Sequence, residues 1–286
     1  MKAARFAPYL FVLLWSTGFV GAKYGLPFAD PFIFLSVRIF AAAGVLFLIA
    51  GLLKQPLAIG PSAIGRSALI GIFLHACYLG GVFFAISQGL SAGVAAVVTS
   101  LQPVLVSVLA VRVLGERLTK SQLAGLFIGL TGVILVLGPT LEAHTRLAGL
   151  IGIAIALMGS TTATLLQKKI GSDIPLLAGT AYQYLISGSV LGIAAFISGG
   201  TSITWSPRFI AAFIWLIAVL SVGAVLLLLW LLNTGSAARV SSLFYLVPPA
   251  TAIEAYFFFG EKVNTQGLLG IGVTALGVWL VIKKAS

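Results

Sequence analysis

The sequence predicts an all-α membrane protein with ten transmembrane helices in two inverted five-helix repeats. Hydrophobic residues make up 60% of the 286 residues and charged residues only 8%, and the mean hydropathy is +1.14. Apolar runs of about 20 residues, enough to span about 30 Å of hydrocarbon, recur along the whole chain. The second half also repeats the first at a fixed offset.

This composition excludes a soluble globular protein, whose surface needs far more polar side chains. Inside a bilayer the backbone must satisfy its own hydrogen bonds, which leaves helices or a closed barrel. Barrel strands are about ten residues of alternating polarity, whereas these runs are continuous and rich in Leu, Ala and Gly. Helices are therefore predicted throughout.

The predicted spans are separated by short turns and loops. They cover residues 8–26, 31–52, 66–89, 92–112, 120–138, 147–168, 175–198, 208–232, 236–259 and 265–283. The first run follows Lys2 and Arg5 and superficially resembles a signal peptide. It is long, contains Trp15 and Lys23 and is followed by further spans, so we interpret it as a retained first helix.

The basic residues predict the orientation of the chain. They lie singly or in pairs at the ends of apolar runs, which is typical of membrane topology rather than of a nucleic-acid-binding face. We therefore expect no nucleic-acid partner. With the amino terminus in the cytoplasm, twelve Lys and Arg residues fall inside and four outside, namely Lys23, Arg146, Arg208 and Lys262. Both termini are predicted to be cytoplasmic.

Few residues could support redox, metal or ATP chemistry. Cys77 is the only cysteine, so the chain can form neither an intrachain disulfide nor a cysteine-based metal site. The sequence has no HExxH, P-loop or paired-carboxylate motif, so we expect no cofactor and no metal site. The ionisable residues well inside the spans are Arg38, His75 and Glu254. Movement down a gradient and proton-coupled exchange through His75 or Glu254 are both compatible with this set.

A shift of 145 residues aligns the second half with the first. Matching positions carry the same residues: Ser91 with Ser236, Pro103 with Pro248, Gly115 and Glu116 with Gly260 and Glu261, Gly125 with Gly270, and Gly132 with Gly277. The repeats are predicted to cover residues 1–140 and 141–286. Because each half holds five spans, the second should lie upside down relative to the first, as in many secondary transporters. The alternative is that the repeat comes from an ancient duplication and now has only a structural role.

These repeated blocks resemble the EamA domain of the drug/metabolite transporter superfamily. The shared features are a short fourth helix with a central proline, a Gly-Glu pair at its end and a Gly-rich fifth helix. The opening LLWSTGFVGAKYGL also resembles that family's first helix. The resemblance covers essentially the whole chain and implies a bacterial inner-membrane exporter of aromatic and other large neutral amino acids. Nucleotide-sugar carriers share the plan, but an anionic nucleotide would need a basic pocket that the sequence does not show.

Polar and aromatic residues deep in the spans are the candidates for the solute pathway, because such groups usually face a protein interior or a water-filled cavity. His75 and Tyr78 share one face of the third span, with His75 about 13 Å from its cytoplasmic end. The candidate substrate-binding residues are Trp15, His75, Tyr78, Thr99, Gln102, Ser160, Thr161, Thr164, Phe244 and Tyr245. Their rings, hydroxyls and amides would suit a small zwitterion or an apolar side chain.

Each candidate also has a purely structural interpretation. His75 could be a hydrogen-bonded interhelical residue, the aromatic residues could be ordinary packing, and the threonines can bond to their own helix backbone. Pro103 and Pro248 each remove a backbone hydrogen bond in mid-span, so they are candidate hinges or static kinks. Glu116 and Glu261 are expected to cap neighbouring helices or to pair locally.

Arg38 and Glu254 form a candidate gate pair near the outer mouth. Arg38 lies seven residues from the outer end of its span and Glu254 lies seven residues before Glu261, so both are about 10 Å deep. Such a pair could break and re-form as the mouth opens. Each charge could instead find a carbonyl or water, and Arg38 could snorkel outward.

The predicted function is export of amino acids by alternating access through a central cavity. The expected partners are the lipid bilayer and a small solute, and a monomer is expected. The alternatives are an exporter of another metabolite or drug, an intramembrane enzyme and a passive channel. One deep His, no deep Asp and a single Cys favour transport over an enzyme.

Overall fold

The computed structural model describes residues 6–90, 95, 98–99, 101–137, 147–259 and 265–282. Within these ranges the chain forms ten helices, which confirms the all-α fold class. They are α1 (Ala7–Gly25), α2 (Pro31–Leu52), α3 (Pro61–Ser87), α4 (Gln102–Val113), α5 (Lys120–Leu137), α6 (Leu147–Ile170), α7 (Leu176–Ser198), α8 (Pro207–Thr234), α9 (Ala237–Ser242, continued by a 3-10 turn over Leu243–Leu246 and by Val247–Phe259) and α10 (Thr265–Ile282).

Most of the described helix ends lie within two residues of their predicted positions. The start of the fourth span falls largely outside the described residues, and among the other helices α3 differs most. It begins at Pro61 rather than at residue 66, because proline suits the first turn of a helix. Arg66 lies inside the helix and donates two hydrogen bonds, of 2.8 and 3.0 Å, to the Asp173 carboxylate after α6. These hydrogen bonds lower the pKa of the Asp173 carboxyl. The predicted repeat boundary, Ser91, Gly260 and Glu261 lie outside the described residues.

Two helices contain π-helical stretches that the sequence analysis did not predict. They cover Ile72–Leu79 in α3 and Leu216–Ala224 in α8. Shifting the first stretch by the 145-residue repeat offset places it inside the second, so the irregularity is duplicated with the repeat. Such π turns occur frequently at functional sites.

The matching helices α5 and α10 pack against each other and run in opposite directions. A Cβ atom added at Gly125 would lie 2.6 Å from the carbonyl oxygen of Gly277. At the other end of the contact, a Cβ at Gly132 would lie 2.8 Å from the carbonyl oxygen of Gly270. Residue numbers rise on one helix as they fall on the other, so the two halves are inverted relative to each other.

The other helix contacts follow the same two-fold pattern. The matching helices α2 and α7 also run antiparallel, since Ser36 donates to the Gly188 carbonyl and Phe47 packs on Tyr182 farther along. The repeat matches α1 with α6, α3 with α8 and α4 with α9. Accordingly, α1 contacts α9 and α8, and its counterpart α6 contacts α4 and α3. In the same way α3 packs on α7, and its counterpart α8 packs on α2. The inverted arrangement predicted from the odd number of spans is therefore present.

The outer surface of the bundle is apolar. Phe196, Phe257 and Leu147 are 82%, 76% and 72% exposed, which would be unfavourable against water but suits contact with lipid chains. Among the described residues, five helices (α2, α3, α6, α7 and α8) are long and apolar enough by length and composition to cross a membrane.

Candidate solute-binding site

An aromatic cluster lies between α1, α3 and α9. The Trp15 ring is within 7° of parallel to the Tyr78 ring, with centroids 6.5 Å apart. Phe244 packs edge-on against Trp15 at 5.4 Å, and Phe11 contacts both Trp15 and Phe244. Three sequence-predicted residues therefore meet here, from both halves of the chain. Phe11 was missed, although its position one turn before Trp15 puts it on the same face of α1.

A small cavity of about 30 Å³ borders this cluster. Its lining comes from α1, α3 and α8: Trp15, Gly18, Ala22, Tyr78, Leu79, Val82, Phe83, Ile86 and Leu220. The cavity follows α1 from Trp15 to Ala22 and α3 from Tyr78 to Ile86, so it extends from mid-helix toward the end that was predicted to face outward. Trp15 and Tyr78 are buried at its inner end.

A larger cavity of about 310 Å³ lies between α1, α8 and Phe258 of α9. Trp215 Nε1 donates to Thr17 Oγ1 at its wall, and Arg208 lies at its edge. Phe258 and Trp215 are 60% and 48% exposed, so this cavity opens on the outer surface of the bundle. The smaller cavity, bordered by the aromatic cluster, is the candidate for a central site, but at about 30 Å³ it has room for only one or two waters, so it must widen to admit a solute.

The predicted polar residues on α4 and α6 lie at another interface. Gln102 Nε2 donates to Thr164 Oγ1 at 3.1 Å, which joins α4 to α6. Ser160 and Thr161 both donate to the Leu157 carbonyl of their own helix, as the structural interpretation anticipated. The α4–α6 interface is the repeat counterpart of the α9–α1 interface, so these residues occupy the matching place in the other half.

Thr99 and Tyr245 have local partners in this structure. Thr99 Oγ1 donates to the Ala95 carbonyl within its own helix. Tyr245 is fully buried, and its ring packs against Gly129 of α5, where an added Cβ would lie 2.6 Å from Tyr245 Cδ2. Tyr245 thus packs on α5 while Phe244 packs on α1, and solute contact by Tyr245 stays a prediction.

A buried polar group adjoins the aromatic cluster. His75 is fully buried and its ring lies 4.6 Å from the Tyr184 ring. The Tyr184 hydroxyl donates to the Ser221 carbonyl in the π-helical stretch of α8. Gln183 is the neighbouring polar residue on α7. The sequence analysis missed Gln183 and Tyr184, although two adjacent polar residues inside an apolar run were a usable signal.

The structure does not pair Arg38 with Glu254. Arg38 points from α2 toward α3, with its guanidinium carbon 5.8 Å from the centroid of the Phe83 ring. Glu254 lies on α9 and accepts a hydrogen bond from the Ser16 hydroxyl of α1. The two charges therefore face different helices, because equal depth in the membrane does not make two residues neighbours. A gate pair stays a prediction for another conformation.

The repeated prolines and one of the repeated glutamates have clear local roles. Pro103 lies in the first turn of α4, and Pro248 follows the 3-10 turn of α9, so both lie where an α-helical segment starts. The Glu116 carboxylate accepts hydrogen bonds from the backbone nitrogens of Ala237 and Ala238 at the start of α9. The expectation that Glu116 caps a neighbouring helix is confirmed. A hinge role for the prolines stays a prediction.

The EamA-like transporter family matches residues 6–138 and 147–283, which is nearly all of the chain. The chain belongs to this family. It is therefore a multi-pass membrane transporter with two EamA units, rather than an enzyme.

Individual relatives support the same assignment. An uncharacterized transporter of Archaeoglobus fulgidus is 25% identical over 283 residues, covering 96% of this chain and 97% of its own. A Salmonella typhimurium protein described as a probable amino-acid metabolite efflux pump is 25% identical over 286 residues, covering 96% and 93%. One crystal structure matches this EamA transporter with a TM-score of 0.81 at 18% identity, covering 98% and 97%. At that identity the likeness establishes the fold alone.

Proposed function

We propose that this EamA transporter exports amino acids, aromatic and other large neutral ones, by alternating access through a cavity between its two repeats. It would lie in a bacterial inner membrane with both termini in the cytoplasm. The efflux role in the description of the Salmonella relative supports the amino-acid substrate. The resemblance of the sequence to the bacterial aromatic amino-acid exporter YddG supports the aromatic preference and the outward direction.

The aromatic cluster is the observation that carries this proposal. Trp15, Tyr78 and Phe244 come from α1, α3 and α9 and meet beside the small cavity. Aromatic faces and edges bind large apolar side chains through dispersion and quadrupole interactions. The cavity lining itself carries no charged residue, so it suits a neutral side chain better than a multiply charged solute.

Both halves would take part in transport by exchanging their conformations. The cluster lies at the α1–α9 interface, and Gln102 and Thr164 lie at the matching α4–α6 interface. In an inverted-repeat transporter, exchange of the two halves' conformations exchanges the open side. The proposed hinges Pro103 and Pro248 lie on α4 and α9, one helix of each interface, where a bend would separate the partners.

A panel of the twenty amino acids tests the substrate class in proteoliposomes containing the purified protein. We expect saturable uptake of phenylalanine, tyrosine, tryptophan and leucine, and little uptake of aspartate or lysine. Tyr78→Ala should weaken this uptake, while Tyr256→Ala is the matched control because Tyr256 is half exposed on α9. Uptake of none of the twenty, with uptake of an unrelated drug or metabolite, would refute the amino-acid assignment.

A further inference from the structure

Arg38 is a cation without an anion in the interior of the bundle. It is 1% exposed, and its Nε and Nη1 atoms have no hydrogen-bond partner. Among the described residues no carboxylate forms an ion pair with it, since Glu254 is bonded to Ser16. Burying an unpaired charge is costly, and the contact with the Phe83 ring offsets only a small part of that cost.

The groups around Arg38 add no negative charge. Neither ring nitrogen of His75 makes a hydrogen bond of normal geometry, and the Gln183 side-chain oxygen also lacks a partner. The Tyr184 hydroxyl is already bonded to the Ser221 carbonyl. The cluster of Arg38, His75, Gln183 and Tyr184 therefore has one fixed positive charge, and the unused Nε and Nη1 donors of Arg38 favour a bound anion.

One aromatic ring separates this cluster from the candidate cavity. Phe83 lines the cavity together with Trp15 and Tyr78, and the Arg38 guanidinium lies over the Phe83 ring at 5.8 Å. A solute in this cavity that contacted the Phe83 ring would therefore have that ring between itself and the guanidinium. Rotation of the Phe83 side chain would bring the two into contact.

We propose that Arg38 binds the carboxylate of the transported solute and that the Phe83 ring moves aside to admit it. The substrate class is then monocarboxylates that carry an apolar or aromatic group. The planar guanidinium fork matches one carboxylate bidentately, whereas a nucleotide diphosphate would need further cations. This inference rests on the proposed cavity, but it concerns the carboxylate and extends to solutes that are not amino acids.

Four matched compounds distinguish the contribution of the carboxylate to binding from the contributions of the amine and the ring. They are L-phenylalanine, L-phenylalaninamide, 3-phenylpropionate and phenethylamine, with binding to the purified protein measured by calorimetry. We expect phenylalanine and 3-phenylpropionate to bind at least about tenfold more tightly than the other two, since hydrogen bonds to charged groups are the strong ones. Arg38→Gln should weaken carboxylate binding by about 10- to 100-fold and leave phenethylamine unchanged. Arg38→Lys should be intermediate.

The matched control is Arg66→Gln, because Arg66 is an α3 cation already paired with Asp173 at the end of the bundle. It should bind all four compounds as the wild type does. Equal affinity for phenylalanine and phenylalaninamide, or wild-type carboxylate affinity in Arg38→Gln, overturns the proposal and leaves amino-acid transport standing. Conversely, Arg38-dependent binding of 3-phenylpropionate without amino-acid transport supports the proposal and refutes the amino-acid substrate.

A second measurement needs no variant and so does not depend on the folding of one. Phenylglyoxal modifies arginine side chains, and the extent of modification at Arg38 can be followed by mass spectrometry of the wild-type chain. Saturating 3-phenylpropionate should slow modification of Arg38 at least about fivefold and leave Arg66 unaffected, as expected for a ligand that occupies most sites. Equal modification of Arg38 with 3-phenylpropionate, phenethylamine or buffer alone overturns the proposal.

Discussion

Trp15 is the residue with the most contacts in the aromatic cluster. Its ring meets Phe11, Tyr78 and Phe244, which come from α1, α3 and α9, and it is 5% exposed. A ring in that position can bind a solute side chain and also hold the two halves in register. Removing it should therefore affect solute affinity directly, through lost aromatic contact area.

We predict that Trp15→Ala raises the KM for aromatic amino acids by about tenfold, which corresponds to the loss of one or two aromatic contacts. Trp15→Phe should retain most of the affinity, because it keeps an aromatic face. Trp230→Ala is the control, since Trp230 is 37% exposed on α8 and lies outside the cluster. Initial uptake rates in proteoliposomes measure the effect; equal KM values for Trp15→Ala and Trp230→Ala would contradict the site.

Tyr245 should behave differently, because its fully buried ring packs against Gly129. We predict that Tyr245→Ala lowers the free energy of unfolding by about 3–5 kcal/mol, the usual cost of removing a buried aromatic ring. Tyr245→Phe should be nearly neutral, because the hydroxyl has no hydrogen-bond partner. Thermal unfolding in detergent measures both. If Tyr245→Ala instead has the unfolding temperature of the wild type and loses solute affinity, the sequence-based prediction that Tyr245 contacts the solute is right.

At the scale of elements, the α5–α10 contact depends on glycine. A Cβ atom at Gly277 would lie 2.3 Å from the Gly129 nitrogen and 2.8 Å from the Gly125 carbonyl oxygen. These are backbone atoms, so no side-chain rotation can relieve the overlap and the helices would have to separate. Close approach of backbones through small residues is a general source of helix association in membranes.

We predict that Gly277→Ala destabilises the protein by about 1–3 kcal/mol, as overpacking of a close contact usually does. Gly272→Ala, on the same helix, is the matched control, because a Cβ there would have nothing within 4 Å. It should be neutral or stabilising by up to about 1 kcal/mol, since alanine is the better helix former. Thermal unfolding of the two variants side by side measures the difference, and equal stabilities would mean that the contact is looser than described.

At the scale of the whole molecule, most helix bounds and the inversion of the repeats could be predicted from the sequence. The ends of α2 match the prediction at both Pro31 and Leu52, and the odd number of spans per repeat predicted the inversion seen at Gly125 and Gly277. The π-helical stretches were not predictable, because one extra residue in a turn leaves the hydrophobic composition unchanged. The neighbours of Arg38 were not predictable either, since residue spacing gives depth along a helix but not the direction that the helix faces.

The candidate site was predicted only in part for the same reason. Trp15, Tyr78 and Phe244 were all named from their depth, and the structure brings them together. Tyr245 has nearly the same depth as Phe244, but it is rotated around α9 and packs on α5 instead. Depth alone therefore selected residues at the right level along the helices, but it did not separate those of the aromatic cluster from those that only pack between helices.

Alternating access between the inverted halves is tested most directly by counterflow in proteoliposomes. Vesicles preloaded with unlabelled L-phenylalanine should take up labelled L-phenylalanine faster than empty vesicles, and the uptake rate should saturate, because a carrier with one site returns faster when loaded. Uptake that rises linearly with concentration, with no acceleration by preloading, would contradict alternating access and indicate a passive channel.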